Sequence, residues 1–316
     1  MKKIFLLIAL GICILNTNIS ANPVIDKTTF IYSIKGNDTL RLDKYEVPDL
    51  GQKKPCVIFV FGGGFVNGNR DNNFNAEYMH RLAEMGYVSI AIDYRLGMKK
   101  VKGSQSSNPM EIVNLLGNTI SMAVEDLFDA TSFVLNNSEE WNINKEQVIA
   151  NGSSAGAITV LQAEYDICSN GMLSKKLPDN FNYAGVIAFA GAVFSTNGDL
   201  KWEKRPAPIQ MFHGNGDSNV PYDKVEMFNL GLYGSKHIAE QMREMQSPYY
   251  FYDVNNAAHE VAGDPMLENL SEIDSFIRNY VIKKKSWMIH TKMEQIGKPE
   301  IKKNFELKDY IKSNYM

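Results

Sequence analysis

Gln147-Val148-Ile149-Ala150-Asn151-Gly152-Ser153-Ser154-Ala155-Gly156-Ala157-Ile158 joins a short apolar run, a Gly-x-Ser-x-Gly turn and the opening of a helix-compatible stretch that continues to Cys168. A serine at the centre of such a strand-turn-helix junction is held in a tight, strained bend. The flanking glycines remove Cβ clashes, so the hydroxyl projects beside a helix N-terminus. Ser154 is the candidate nucleophile on this reading. Alone, two glycines and a serine also describe an ordinary turn or helix cap, and the assignment depends on what else the chain brings to the same place.

Outward from this junction, apolar runs suited to buried parallel strands occupy residues 56–61, 87–93, 147–151, 185–190, 208–213 and 249–254. Helix-like stretches lie between and after them at 75–84, 109–135, 155–168, 222–245 and 266–282. Within the longest, Ala123, Leu127, Ala130 and Val134 share one face, as in a helix that covers a sheet. Residues 28–35 and 39–47 alternate about Gly36-Asn37-Asp38 and predict an antiparallel hairpin. Alternating strands and helices predict an α/β fold with a mostly parallel, doubly wound sheet and helices on both faces. With no internal repeat or low-complexity linker, residues 22–284 read as one domain.

In such a sheet, functional groups gather in the loops at the carboxyl ends of the strands. Three further segments occupy those loops. Phe61-Gly62-Gly63-Gly64-Phe65 follows the first buried strand, and its glycines let backbone amides face a ligand. The amides of Gly63 and Gly64, with that of Ala155, form a candidate oxyanion hole, in which one donor is typically worth about 3 kcal/mol. His213-Gly214-Asn215-Gly216-Asp217 and Asn255-Asn256-Ala257-Ala258-His259 end two later strands. Asp217 would orient the imidazole of His259, which would take the proton of Ser154. The order Ser, Asp, His agrees with this strand-turn-helix motif.

The same residues carry a family likeness. The chain resembles the α/β-hydrolase superfamily, in its esterase/lipase branch of hormone-sensitive-lipase-like and secreted carbohydrate-ester hydrolases. The likeness runs from about Thr28 to Ile282 and includes Asp93-Tyr94-Arg95-Leu96, similar to the branch's Asp-Tyr-Arg segment. It implies an α/β-hydrolase fold with an eight-stranded sheet and ester hydrolysis through an acyl-enzyme, with Ser154 as nucleophile, Asp217 as acid and His259 as base. Asp93 and Arg95 would then be structural. The branch usually carries His-Gly-Gly-Gly where this chain has Phe61-Gly62-Gly63-Gly64, and a phenyl ring cannot make the hydrogen bond by which that histidine anchors the loop. The expected substrate is a small-molecule or carbohydrate ester, plausibly with acetyl or feruloyl groups. Phe65, Phe194 and Trp202 are the expected pocket residues, the last two from a loop over 191–205. The alternatives are a prolyl-oligopeptidase-type peptidase, against which stand the triple glycine and the lack of a large added domain, and a non-catalytic binding protein, which would be expected to lack a triad member.

Composition limits the partners. The 316 residues include 33 basic and 36 acidic side chains, with 44% hydrophobic and 22% charged residues, an ordinary globular balance. Lys2 and Lys3, the apolar stretch to Leu15 and a polar run ending Ile19-Ser20-Ala21 read as a signal peptide over residues 1–21. The expectation is export to a periplasmic or extracellular location, with no stable membrane insertion after cleavage. Bulky Ile12 before Cys13 disfavours a lipid anchor there. Without that segment 31 basic residues face 36 acidic ones, so nucleic acid is not the expected partner. Cys56 and Cys168 form no disulfide framework and the five histidines stand singly, so neither a metal nor a cofactor is expected. Residues 285–316 read as a basic C-terminal extension, free or docked. Mass analysis of the protein recovered from its exporting cell should show Asn22 near the new N-terminus; a retained Met1 would contradict cleavage.

Overall fold

A computed structural model describes residues 23–48, 51–99 and 109–315; the expected signal peptide, and most of a loop over 97–108 expected to line the pocket, lie outside them. The first strands, β1 (Asp26–Lys35) and β2 (Asp38–Glu46), form the expected hairpin. Next come β3 (Lys54–Val60), α1 (Asn73–Glu84), β4 (Val88–Ile92), α2 (Pro109–Asn136), β5 (Ile143–Ser153) and α3 (Ala155–Cys168). The second half holds β6 (Gly185–Phe189), β7 (Ala192–Ser195), β8 (Ile209–Gly214), β9 (Lys224–Met227), β10 (Leu230–Gly234), α4 (Ser235–Glu244) and β11 (Tyr249–Asn255). Two short helices, α5 (Pro265–Glu268) and α6 (Leu270–Phe276), lead to β12 (Met288–Glu294) and α7 (Leu307–Tyr315). None of the helices among the described residues is long and apolar enough to cross a membrane.

The main sheet has the order β1-β2-β4-β3-β5-β6-β8-β11-β12, antiparallel at the hairpin edge and parallel from β4 onward. Its first eight strands are those expected, two from the hairpin and six from the apolar runs. The ninth, β12, comes from the basic extension and pairs with β11 from Tyr249↔Met288 to Asn255↔Glu294. The central strands are inaccessible: Val57, Ile58, Phe59, Ile90, Ala91, Ile149, Ile187 and Phe212 are fully buried, as expected where helices cover both faces of a parallel sheet.

One expected helix is corrected. Residues 222–245 do not form a single helix, because their first half makes the β9–β10 hairpin, which joins β7 in a separate three-stranded sheet. The signal was a period of two: Val225 and Met227, then Leu230 and Leu232, alternate on either side of a turn at Phe228-Asn229, where Phe228 takes φ 58°. Only from Ser235 does the pattern become helical.

Asp93 and Arg95 tie the sheet to its surroundings. Asp93 accepts from both the Arg41 amide and the Arg70 guanidinium. Arg95 reaches α2, donating to Asp126 at 2.7–3.0 Å and to Glu125 at 2.6 Å. With Lys176 it holds the Glu125 carboxyl down at about 2. Asp126 is completely buried, so losing Arg95 strands a charge in the interior. Arg95→Ala should lower unfolding free energy by about 3 kcal/mol, read from denaturant midpoints; a loss below about 0.5 kcal/mol would show that Asp126 finds another partner.

Candidate functional site

Ser154 lies between β5 and α3 with φ 52° and ψ −117°, a combination that side-chain-bearing residues seldom adopt. The bend exists because two glycines allow close approach. A Cβ on Gly152 would stand 2.2 Å from the Gly156 carbonyl oxygen, and one on Gly156 only 1.9 Å from that of Val60. The Ser154 amide donates to Phe189 O at 2.8 Å, and the Ser153 hydroxyl to Ala262 O at 2.7 Å. The second bond ties the serine turn to the 3-10 turn His259–Ala262.

The three side chains singled out from the sequence are brought together. Ser154 Oγ lies 2.8 Å from His259 Nε2, and His259 Nδ1 lies 2.7 Å from Asp217 Oδ2. The other oxygen of Asp217 accepts from the amides of Asn219 and Val220 at 2.8 and 3.0 Å. Burial opposes charge on Asp217, but the bonds from His213 and His259 outweigh it and hold the carboxyl well below the usual carboxylate range. A second imidazole, that of His213, stands 3.4 Å from the same Oδ2. It is fully buried, its Nδ1 meets the Ser235 hydroxyl and its Nε2 meets Val220 O. His213 therefore supports the carboxylate, while His259 alone of the two reaches Ser154. The nearby Asp223 is paired with Lys236.

The glycine loop lies alongside. Gly63, at φ 122°, would place a Cβ 2.1 Å from Asn67 O. The carbonyl of Gly63 accepts from the amides of Val66 and Asn67. Among the described residues the amides of Gly63, Gly64 and Ala155 have no hydrogen-bond partner, which leaves them available to an anionic oxygen. Where a histidine side chain would have anchored this loop, the Tyr94 hydroxyl donates to Phe61 O at 2.9 Å and the two rings pack at 4.6 Å.

Two spaces meet at Ser154. One is a narrow apolar cavity of about 50 Å³ bounded by Phe65, Ile158, Phe194, Leu230 and Ile311 among others; the other is an open, more polar cleft of about 440 Å³ running past Gly62, Asn67, His259 and Asn314. Phe65 and Phe194 border the apolar space. Trp202 does not: its indole donates to Gln241 and its ring packs edge-on against Tyr165, away from both spaces. The fourteen-residue helix α3 carries Tyr165 near its far end, so Trp202 caps the core there.

Residues passed over in sequence complete the site. Asn314 exchanges hydrogen bonds with Asn219 beside Asp217, Lys303 reaches Asn255 and Lys298 pairs with Glu260 beside His259. Gly216 admits Ile301, since a Cβ there would lie 2.3 Å from its Cδ1. The basic extension is docked against both loops that carry Asp217 and His259. Its only sequence signal was apolar points such as Phe305, Leu307 and Tyr310 spaced among lysines.

Among the described residues Asp223, His237 and Glu240 bring possible metal ligands within 4.8 Å of one another. Lys236 is paired with both acids and His237 with Asp199, so these donors are already engaged with protein partners. Cys56 and Cys168 are free and buried, and burial pushes both thiols up.

Comparison with known proteins gives a consistent direction. The family model described as BD-FAE matches residues 42–193. A probable isoprenylcysteine alpha-carbonyl methylesterase of Oryza sativa subsp. japonica is 33% identical over 117 residues, 37% of this chain and 23% of that protein. An isoprenylcysteine alpha-carbonyl methylesterase of Arabidopsis thaliana is 24% identical over 234 residues, 61% of this chain and 49% of that one. The chain spans about half or less of the length of these curated relatives. Among solved structures, a thermophilic esterase from Thermogutta terrifontis superposes with TM-score 0.59 at 18% identity, covering 81% of this chain and 92% of that one. Its propionate-bound form gives 0.58 at 18%, covering 84% and 97%. The fold is the α/β-hydrolase fold.

Because the folded-state carboxyl of Asp217 is depressed, its stabilising contribution is fully present above the unfolded value near 4 and is lost as pH falls below that. The advantage of wild type over Asp217→Asn in denaturant midpoint should therefore be full at pH 6 and shrink as pH drops below about 4. An advantage that stays constant into strong acid would contradict a carboxylate held low by its partners.

Proposed function

We propose that this chain, an α/β-hydrolase of the esterase/lipase type, is an exported serine carboxylesterase that removes short acyl groups. The observation that carries the reading is the unbroken hydrogen-bonded series from Asp217 through His259 to Ser154, at 2.7 and 2.8 Å, opening onto a cavity beside unpartnered backbone amides. In this mechanism His259 Nε2 takes the proton as Ser154 Oγ attacks the ester carbonyl. Asp217 holds the ring tautomer and stabilises the resulting imidazolium. The amides of Gly63, Gly64 and Ala155 receive the tetrahedral oxyanion. His259 then protonates the leaving alcohol, and a water activated by the same imidazole releases the acid from Ser154.

The two spaces suit different halves of an ester. The narrow apolar cavity suits a short acyl chain, acetyl to butyryl, more closely than a feruloyl ring. The larger polar cleft suits a hydrophilic alcohol, and a carbohydrate hydroxyl agrees with export. The structural relative from Thermogutta terrifontis is described with propionate and with butyrate bound.

Ser154→Ala should reduce hydrolysis of 4-nitrophenyl acetate and butyrate by about 10⁵-fold or more with an unchanged thermal midpoint. Feruloyl esters and an aminoacyl-proline amide should be poor substrates of the wild type. Equal rates in Ser154→Ala and wild type would remove Ser154 from the mechanism, and preferential amide cleavage would replace the esterase by a peptidase.

A further inference from the structure

We propose that α7 is the wall that sets acyl length, with Leu307 and Ile311 as its specificity-determining residues. The inference rests on the esterase reading of the Ser154 site and adds to it which part of the chain chooses the substrate. Leu307, Tyr310, Ile311 and Asn314, spaced as one helical face, border the apolar cavity. Lys308, Lys312 and Ser313, on the opposite face, are exposed. The wall is therefore one helix thick, with solvent behind it.

Phe65, Ile158, Leu116 and Val113 border the same cavity from within the main hydrophobic core. Ile311 also belongs to that core, whereas Leu307 is only partly buried and packs against it, so Leu307 is the α7 residue whose size can change with the least disturbance of the fold. The main helix and strand contacts of α7 are with α2 and β9, and a polar link runs from Asn314 to Asn219. Shortening a side chain on α7 enlarges the cavity toward solvent and leaves the sheet, the serine turn and the His259 turn untouched. Lengthening one takes room from the same cavity that Ser154 borders.

The test compares kcat/KM for 4-nitrophenyl acetate, butyrate and octanoate in wild type, Leu307→Ala, Ile311→Ala and Leu307→Trp, with Lys312→Ala as an outward-facing control. Thermal midpoints establish that each variant is folded. The octanoate-to-acetate ratio should rise about tenfold or more in the two alanine variants, the worth of added room for methylenes in an apolar pocket, while acetate stays within about threefold. Leu307→Trp should depress butyrate and spare acetate, and Lys312→Ala should match wild type. An unchanged chain-length profile in the folded variants overturns the assignment while leaving the esterase reading intact. A wild type that hydrolyses none of these esters in a Ser154-dependent way overturns that reading and the role of α7 with it. If the alanine variants unfold, Leu307→Trp decides alone.

Discussion

Gly156 has to lie against the carbonyls of Val60 and Phe61, and much of the site follows from that approach. A methyl group there would overlap the Val60 oxygen at 1.9 Å, so only glycine lets the start of α3 sit on the end of β3. With α3 seated so deeply, the preceding residue is forced into φ 52°, a conformation that typically costs 1–3 kcal/mol. The surrounding structure carries that strain through the bond from Ser154 to Phe189 and the Ser153 hydroxyl on Ala262. The result is geometric: the serine oxygen, the Ala155 amide and the glycine loop at the end of β3 border common space.

The partners of Ser154 are held differently. Asp217 and His259 stand on loops after β8 and β11, which approach closely at Gly214 and Ala257 and are further fixed by a set of polar contacts. Two backbone amides and two imidazoles converge on one buried carboxylate, which fixes its charge and its direction. The neighbouring asparagines add a layer, with Asn215 bridging to Asn255 and to the Asn256 amide. Across this layer the final segment lays Ile301, Lys303 and Asn314. The serine is rigid because backbone meets backbone; for the acid and base, agreement among several polar groups is added to that.

This difference also explains what was legible beforehand. Glycines that permit close approach leave a local signature, so the serine turn, the glycine loop and the buried strands could be read as short patterns. The Asp217 and His259 loops were legible because each follows an unmistakable apolar strand. Long-range tertiary choices left no such mark. Nothing within residues 285–316 announces that β12 will pair with β11, because its exposed edge position needs no apolar run. The β9–β10 hairpin was overlooked because a strand of four residues offers few alternations against a helical stretch that follows directly. Trp202 illustrates the opposite error: a large aromatic in a long loop suggested a ligand, yet its indole had a partner in Gln241 and its ring a neighbour in Tyr165. Phe61 stood as an anomaly only until Tyr94 supplied the missing hydrogen bond from another strand end.

The docking of the final segment has a thermodynamic consequence. Leu307, Tyr310 and Ile311 border the cavity while Asn314 holds the loop of Asp217, so an occupant of the cavity touches a segment whose own attachment is an equilibrium. Free energy gained by contact with that helix is gained equally by the helix in staying attached, since coupling between two binding events is reciprocal. Occupancy and attachment therefore reinforce each other. An occupied cavity holds its own wall more firmly in place than an empty one does.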